Sequence, residues 1–456
     1  MSDGFSCPTT TNNPLSEHID ACQLIDNEID LELGKLPIGW NISDTQNETV
    51  FITDYVANGS FASLAENVTY NHEPDFAVLI RLTDFNNSFN GNFVYVNEHS
   101  YNFLRKSKLY GGEIIISNVG AYSGTVFFAP KLNRPMTLGP NSIMMNFING
   151  NEFYYYWFRS PIGKFLLEGI ISGSAQPKFN KTLFRKLKVP VPPLPEQKAI
   201  AAVLSSLDDK IDLLHRQNKT LEAMAETLFR QWFIEEAKED WEKNTFEKWI
   251  SNTFGGDWGK EFPDKDYIVP AYCIRGTDIA DLQDGLAKKT PIRYITERKF
   301  GIVEPQNGDI IFEISGGTEN QSTGRSIYID KNIKSLFSYP LVFSNFCRLL
   351  RPKNEKFTYF IFLYLQYLYK QDEFFNLENG SSGIKNLNYK ALLFELLFTM
   401  PNENRVLDFN GEVSSLFNKI NKNKSQIQTL EKLRDNLLPK LMSGEVRVSY
   451  EQQDAA

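Results

Sequence analysis

Apolar or small side chains recur in four- and three-residue steps through Ile200, Leu204, Leu207, Ile211, Leu214, Leu221, Ala225, Leu228 and Trp232. That spacing is the seam of a heptad helix, about three dozen residues or roughly 50 Å long at 1.5 Å per residue. One seam position, Asn218, is polar. A second seam runs through Leu416, Ile420, Ile427, Leu430, Leu437 and Leu441. Asn423 interrupts it, and Gly444 reads as its stop. Two seams of matching length predict an antiparallel helix pair with one folded domain at each end. The alternative is that each helix caps its own domain. Asn218 and Asn423 either fix the register of the pair or are tolerated polar residues near a helix edge.

Between the seams the pattern changes to short apolar, β-branched runs. Phe76 to Leu82 and Glu113 to Ser117 predict buried strands, and Asn/Gly/Ser clusters mark the turns between strands. Glu152 to Glu168 predicts an aromatic-rich helical stretch broken near Pro161. The most apolar run, Phe357 to Tyr369, is too short to span a bilayer and reads as a buried helix. Pro190, Pro192, Pro193 and Pro195 close the first domain as a stiff connector, because proline fixes φ and disfavours helix before it. The whole is a mixed α/β (α+β) chain.

An internal repeat organises these pieces. Ser205 to Leu228 align without a gap on Ser414 to Leu437, with ten of 24 positions identical, and the same shift of 209 superposes Trp40 on Trp249. The interiors between these anchors differ in length and sequence. A repeated frame around unlike inserts predicts one pseudo-twofold scaffold presenting two distinct readers.

Composition narrows the classes. The chain has 456 residues, 42% hydrophobic and 23% charged, as in an ordinary globular protein of two or more domains. Met1 is followed by a polar Ser/Thr/Asn-rich stretch rather than a secretory leader. Cys7, Cys22, Cys273 and Cys347 lack disulfide or metal-ligand spacing and read as reduced thiols of a cytoplasmic protein. Four scattered histidines leave little for a zinc site. The net charge of −8 is uneven: residues 1–35 carry −6 and residues 36–190 carry +2. This argues against a polyanion binder of histone type, whereas a local basic face is permitted.

Several motifs carry a resemblance. They are the opening Leu36-Pro-Ile-Gly-Trp40, the stretch Gly173-Ser-Ala-Gln-Pro-Lys-Phe-Asn180 and Val189-Pro-Val-Pro-Pro-Leu-Pro-Glu-Gln197 before the heptad helix. Two further elements recur in both halves. Ile80-Arg-Leu-Thr-Asp84 matches Ile274-Arg-Gly-Thr-Asp278, and Gly112-Glu-Ile-Ile115 matches Gly308-Asp-Ile-Ile311. Together they resemble the specificity (S) subunits of type I restriction–modification systems over residues 36 to 448. The second half departs from the pattern. It has Met400-Pro-Asn-Glu-Asn404 in place of Pro-Leu-Pro-Glu-Gln, Gly380-Ser-Ser-Gly-Ile-Lys385 in place of the Gly-Ser-Ala-Gln loop, and no Pro-x-Gly before Trp249.

The resemblance implies a non-catalytic DNA reader with two target recognition domains joined and separated by two long antiparallel coiled-coil helices. Each domain would bind one half of a bipartite, asymmetric site in double-stranded DNA. The helices would set the spacing and dock two methyltransferase (M) subunits. No cofactor is expected in this chain: S-adenosylmethionine would sit in the M subunits, and ATP and Mg²⁺ in the restriction (R) subunits. The expected layout is an acidic extension over 1–35, the first recognition domain over 36–195 and a central helix over 196–243. The second recognition domain follows over 244–405, then a C-terminal helix over 406–445 and a tail over 446–456.

The residues themselves are consistent with a non-catalytic chain. No Asn/Asp-Pro-Pro-aromatic motif of an amino-methyltransferase occurs, and no phosphate loop of an ATPase. One loose nuclease-like pattern exists, Pro263-Asp264 with Glu297-Arg298-Lys299, which reads as surface charge in the second domain. The rival classes are a DNA-acting enzyme (a fused modification–restriction protein or a stand-alone nuclease) and a coiled-coil scaffold without DNA. Base edges are read by polar side chains and phosphates by cations. The candidates for DNA contact are therefore Asn118, Tyr122 and Ser123 with the run Lys178, Lys181, Arg185, Lys186 and Lys188. In the second half they are Ser315, Asn320, Gln321, Ser322, Arg325 and Lys385. The seam of the helix pair is assigned to Leu207, Ile211, Leu214, Asn218, Leu221 and Leu228 against Leu416, Ile420, Asn423, Ile427, Leu430 and Leu437.

Overall fold

The computed structural model describes residues 37–449, apart from 288, 319 and 381–383. The expected acidic extension over 1–35 lies outside the described residues, as does most of the tail. The chain divides into two compact units, residues 1–208 with 432–456 and residues 209–431. No helix among the described residues is long and apolar enough to cross a membrane.

In the first unit the recognition domain is bounded by a two-stranded antiparallel ribbon. β1 (Asn41–Asp44) pairs with the strand Lys188–Val191, so Pro190 lies inside a strand and the proline cluster is no mere connector. An edge strand accommodates proline because its missing N–H need not join a ladder. Within the ribbon, β2 (Thr49–Asp54) begins a four-stranded antiparallel sheet. Next to it come Ser142–Phe147, then Ile114–Ser117, then Val126–Phe128. A five-stranded sheet centres on β3 (Ala77–Ile80), which runs parallel to Met136–Leu138 and is buried throughout. Burial on both faces explains its unbroken apolar sequence. The strand is shorter than Phe76 to Leu82. Asp84 accepts the backbone N–H of Arg81 and the Nε–Nη2 edge of its guanidinium, which turns the chain into the short helix Leu82–Asn86. The aromatic stretch forms α1 (Asn151–Arg159) and α2 (Pro161–Gly169), with the break where Pro161 starts the second helix. α1 inserts Tyr154 and Trp157 into the core.

The second unit repeats this plan. Glu242–Asn244 pairs with Phe398–Met400 as the closing ribbon. The four-stranded sheet has the order Ile250–Gly255, Cys347–Pro352, Ile310–Glu313, Ser326–Tyr328, and the strand Tyr267–Ile274 runs parallel to Leu341–Phe343. The apolar run forms a helix, Thr358–Lys370, with Phe360, Ile361, Leu365 and five neighbours buried.

The first long helix spans Leu194–Arg230 and continues as a π turn over Gln231–Glu235. It ends short of residue 243, since Glu242 already belongs to the ribbon. The second spans Glu403–Met442. Gly444 follows with φ 73, a left-handed conformation suited to a helix stop. In the second unit the helices are antiparallel neighbours. Ile211, Leu214, Ile427 and Leu430 form one apolar cluster, and Asn423 Nδ2 donates to Asn218 Oδ1 at 2.9 Å. Nearer the domain the buried stripe moves from Leu228 and Trp232 to Phe229 and Phe233, which are 1% and 2% exposed. An α-helix drifts against a strict heptad, and these two rings pack on Phe360 at 6.2 and 4.8 Å. Leu221, Leu228 and Leu416 lie against the same domain core, which also holds Ile420. In the first unit Leu204, Leu441 and Met442 share the core of the other domain, with Leu437 packed against it. There Arg434 Nη1 binds Asp208 at 2.8 Å. Leu207 is half-buried.

Candidate nucleic-acid interface

The two repeated motifs form the rigid base of each domain. Arg275 and Asp278 reproduce the Arg81–Asp84 fork, with N–H to oxygen distances of 2.9, 3.0 and 2.7 Å. Glu113 accepts the backbone N–H groups of Tyr110 and Gly111, each at 2.8 Å. Its counterpart Asp309 accepts from Gln306 N at 2.6 Å and from the Nε–Nη2 edge of Arg351. The carboxylates in these motifs hold backbone turns. Trp40 and Trp249 are also equivalent anchors with unlike partners. Trp40 Nε1 donates to the buried Glu196 at 3.0 Å, and Glu196 also binds Arg447. Among the described residues Trp249 Nε1 finds only the sulfur of Met400, at 3.2 Å. The missing Pro-Leu-Pro-Glu-Gln of the second half thus removes a carboxylate from beneath its tryptophan.

In the first domain the hairpin Ile114–Ser117 to Val126–Phe128 carries the turn 118–124. The Gly-Ser-Ala-Gln loop is held against that turn by Gly120 N to Pro177 O at 2.8 Å and Phe179 N to Asn118 O at 3.1 Å. Asn118 spends its amide on this junction, donating to Phe179 O at 3.2 Å. Tyr122 is 68% exposed at the turn, and the half-buried Ser123 has an Oγ with no partner among the described residues. The cationic run divides. Lys181 binds Asp54 at 2.7 Å, Lys188 binds Asp44 at 2.8 Å and Arg185 donates to Ile52 O at 3.1 Å. Lys178 and Lys186 are exposed.

The second domain builds the same junction from different residues. Its hairpin loop, 314–324, is four residues longer than 118–124, and Ser315–Gly316 pairs with Lys385–Leu387. Asn320 and Gln321 are exposed, and Gln321 Nε2 donates to Tyr369 Oη at 3.3 Å. Ser322 is buried, so it is not on the surface. Lys385 binds Glu378 at 3.0 Å and lies over the Phe375 ring. Arg325 is clamped by Glu313 through Nε at 3.0 Å and Nη2 at 2.7 Å. That hydrogen-bonded carboxylate raises the guanidinium pKa further. Arg325, Glu313, Ser315 and Gln321 border a cavity of about 710 Å³, whose walls include Trp258, Phe346 and Ile384. The polar-loop reading missed these three. Their signal was a large apolar side chain in a turn-rich stretch, and Phe346 and Ile384 are 49% and 57% exposed.

The nuclease-like residues do not converge. Asp264 is paired with Lys260, Glu297 opens the helix Glu297–Val303, and Lys299 Nζ donates to Gly255 O at 3.3 Å. Among the described residues no group of three His, Cys, Asp or Glu side chains is placed to hold a metal ion.

Comparison with known proteins gives a consistent result. A profile described as the type I restriction modification DNA specificity domain matches twice, over residues 65–223 and 238–404. The MjaIX specificity subunit of Methanocaldococcus jannaschii is 26% identical over 329 residues, 65% of this chain and 69% of that one. The putative MjaX specificity subunit of the same organism is 23% identical over 380 residues, 78% and 83% of the two chains. Among solved structures, the type I restriction–modification S subunit from M. genitalium superposes with a TM-score of 0.51 at 16% identity. That match covers 90% of this chain and 96% of the other.

Proposed function

This chain belongs to the type I restriction modification DNA specificity family, and from that premise we propose that each recognition domain reads one half of a bipartite, asymmetric DNA site. The observation that carries the reading is the pair of hairpin junctions. Equivalent strands present turn 118–124 in one domain and the longer loop 314–324 in the other, so the same frame offers unlike chemistry. Unlike readers recognise unlike half-sites. In the first domain Tyr122, Lys178 and Lys186 contact DNA. In the second, Asn320, Gln321 and Arg325 do so, while the paired Lys385 shapes the surface.

The long helices act as a ruler and as the docking surface for two methyltransferase subunits. Their 37 and 40 residues give roughly 55 to 60 Å at 1.5 Å per residue. That length accommodates half-sites about one DNA turn, or 34 Å, apart. The chain itself is non-catalytic and cytoplasmic. S-adenosylmethionine belongs to the methyltransferase subunits, and ATP with Mg²⁺ to the restriction subunits. The test is co-purification with the methyltransferase subunits followed by methylome sequencing. A split methylated motif is expected. Inserting one helical turn at matched positions of both helices should lengthen the spacer and leave both half-sites unchanged. An altered half-site with the original spacer would refute the ruler.

A further inference from the structure

Three equivalent positions distinguish the second hairpin from the first. Ser117 N donates to Thr125 O at 2.9 Å, and Glu313 N donates to Arg325 O at 2.8 Å, so Ser117 corresponds to Glu313 and Thr125 to Arg325. In the shared Ile-Arg-x-Thr-Asp motif, Leu82 of the first domain corresponds to Gly276 of the second. A Cβ at Gly276 would lie 2.2 Å from Glu313 Oε1. The glycine is therefore what admits the carboxylate. Gly316 serves the same end, since its Cβ would lie 2.5 Å from that oxygen. The second domain thus contains a coordinated trio, glycine, glutamate and arginine, where the first has leucine, serine and threonine.

The trio determines how Arg325 meets a ligand. The Glu313 side chain is 3% exposed and takes Nε and one Nη2 hydrogen of the guanidinium. The opposite edge, Nη1 with the second Nη2 hydrogen, has no partner among the described residues, and Arg325 lines the 710 Å³ cavity. This edge offers two parallel N–H groups in fixed geometry. Arg325 and Glu313 together carry no net charge, so a phosphate gains little at this edge because it also meets the glutamate. A neutral group with two adjacent acceptors suffers no such repulsion. Among base edges in the major groove, guanine with O6 and N7 is that group.

We propose that Arg325, oriented by Glu313, reads the O6/N7 edge of a guanine in the half-site bound by the second recognition domain. Glu313 is a positioning residue, and Gly276 supplies its space. The inference rests on the bipartite reading above.

The experiment uses the full chain in complex with its methyltransferase subunits. The methylome of the Arg325→Lys complex is compared with that of the unaltered complex, and lysine retains the cation opposite Glu313. One guanine in one half-site should become permissive, with the other half-site and the spacer intact. On a duplex carrying the motif, 7-deazaguanine at that position should weaken binding by the unaltered complex on the order of tenfold or more. It should weaken binding by the Arg325→Lys complex no further. Glu313→Gln should relax the same position, and an unchanged salt slope would mark the loss as one of orientation. Should Arg325→Lys fail to fold, the double variant Glu313→Gln/Arg325→Gln leaves no unpaired buried charge and should give the same permissive position. A uniform loss across all sequences with a salt slope reduced by about one would make Arg325 a phosphate contact and overturn the proposal. So would a 7-deazaguanine substitution without effect. A split motif unaltered by Arg325→Lys sinks this inference alone, whereas no split motif at all sinks the bipartite reading beneath it.

Discussion

The hydrogen bond between Asn218 and Asn423 should behave in opposite ways when one side or both sides are replaced. Asn218 is 6% exposed and Asn423 is 0% exposed. They bond at 2.9 Å in the seam that also holds Ile211, Leu214 and Ile427. Asn423 Oδ1 has no partner among the described residues, so the native pair already includes an unsatisfied acceptor. Asn423→Ala strands the Asn218 amide in an apolar seam and is expected to destabilise by about 1–3 kcal/mol. Replacing both residues by leucine removes every buried polar atom of the pair and adds apolar burial worth about 1.5–3 kcal/mol per side chain. Overpacking takes back about 1–3 kcal/mol in total. The double variant should therefore be neutral or stabilised. Urea titrations of the wild type, both Ala variants and the double Leu variant, followed by far-UV circular dichroism, measure this through the midpoint at constant slope. The price of the added stability would be register, seen as mixed spacer lengths in the methylome. If Asn423→Ala unfolds at the wild-type midpoint, or the double Leu variant is weakened by the sum of the two single losses, the argument fails.

Other perturbations probe different parts. Glu196→Ala removes the acceptor of Trp40 and the partner of Arg447. The Arg447 side chain is 42% exposed, and its hydration tempers the loss to about 1–3 kcal/mol, measurable from denaturant-dependent tryptophan fluorescence. Gly444→Ala forces a side chain into φ 73 with a Cβ 2.0 Å from the Pro37 ring and should lower stability by about 1 kcal/mol or more, read from the thermal midpoint. Burial pushes the Cys273 and Cys347 thiols up to about 12. Both should resist iodoacetamide at pH 8 in the native protein and react after denaturation, as peptide mass spectrometry would reveal. Rapid native alkylation of either would contradict their placement.

Periodicity made the long helices legible, because a heptad seam is a property of one segment read alone. Composition alone also located the helix Thr358–Lys370 and the strands around Ile80 and Ile115. The slip from Leu228 to Phe229 was not legible, since it arises where the helix exchanges a helical neighbour for the Phe360 face. The candidate site divided in the same way. Exposed polar residues such as Asn320 and Gln321 follow from turn composition. By contrast, Lys181, Arg185 and Lys385 looked like free cations until the fold brought Asp54, Ile52 O and Glu378 to them. Asp54 lies 127 residues from Lys181 and leaves no local trace there, whereas Glu378 meets Lys385 because their two short strands pair. The Glu313–Arg325 clamp lies only 12 residues apart, yet its meaning depends on Gly276, which sequence spacing does not connect to either.

The closing ribbons have a consequence for inheritance. Asn41 faces Val191 in one domain and Glu242 faces Met400 in the other. The chain therefore enters and leaves each domain at neighbouring points, about 5 Å apart across an antiparallel pair. Each reader is a cassette with a single doorway. A genetic exchange with breakpoints in the two ribbon strands can replace everything between them and leave the helices and their mutual register in place. The length of the insert is unconstrained by the frame, provided its own ends meet. New DNA specificities can thus arise by transplantation of whole cassettes, without passing through half-folded intermediates.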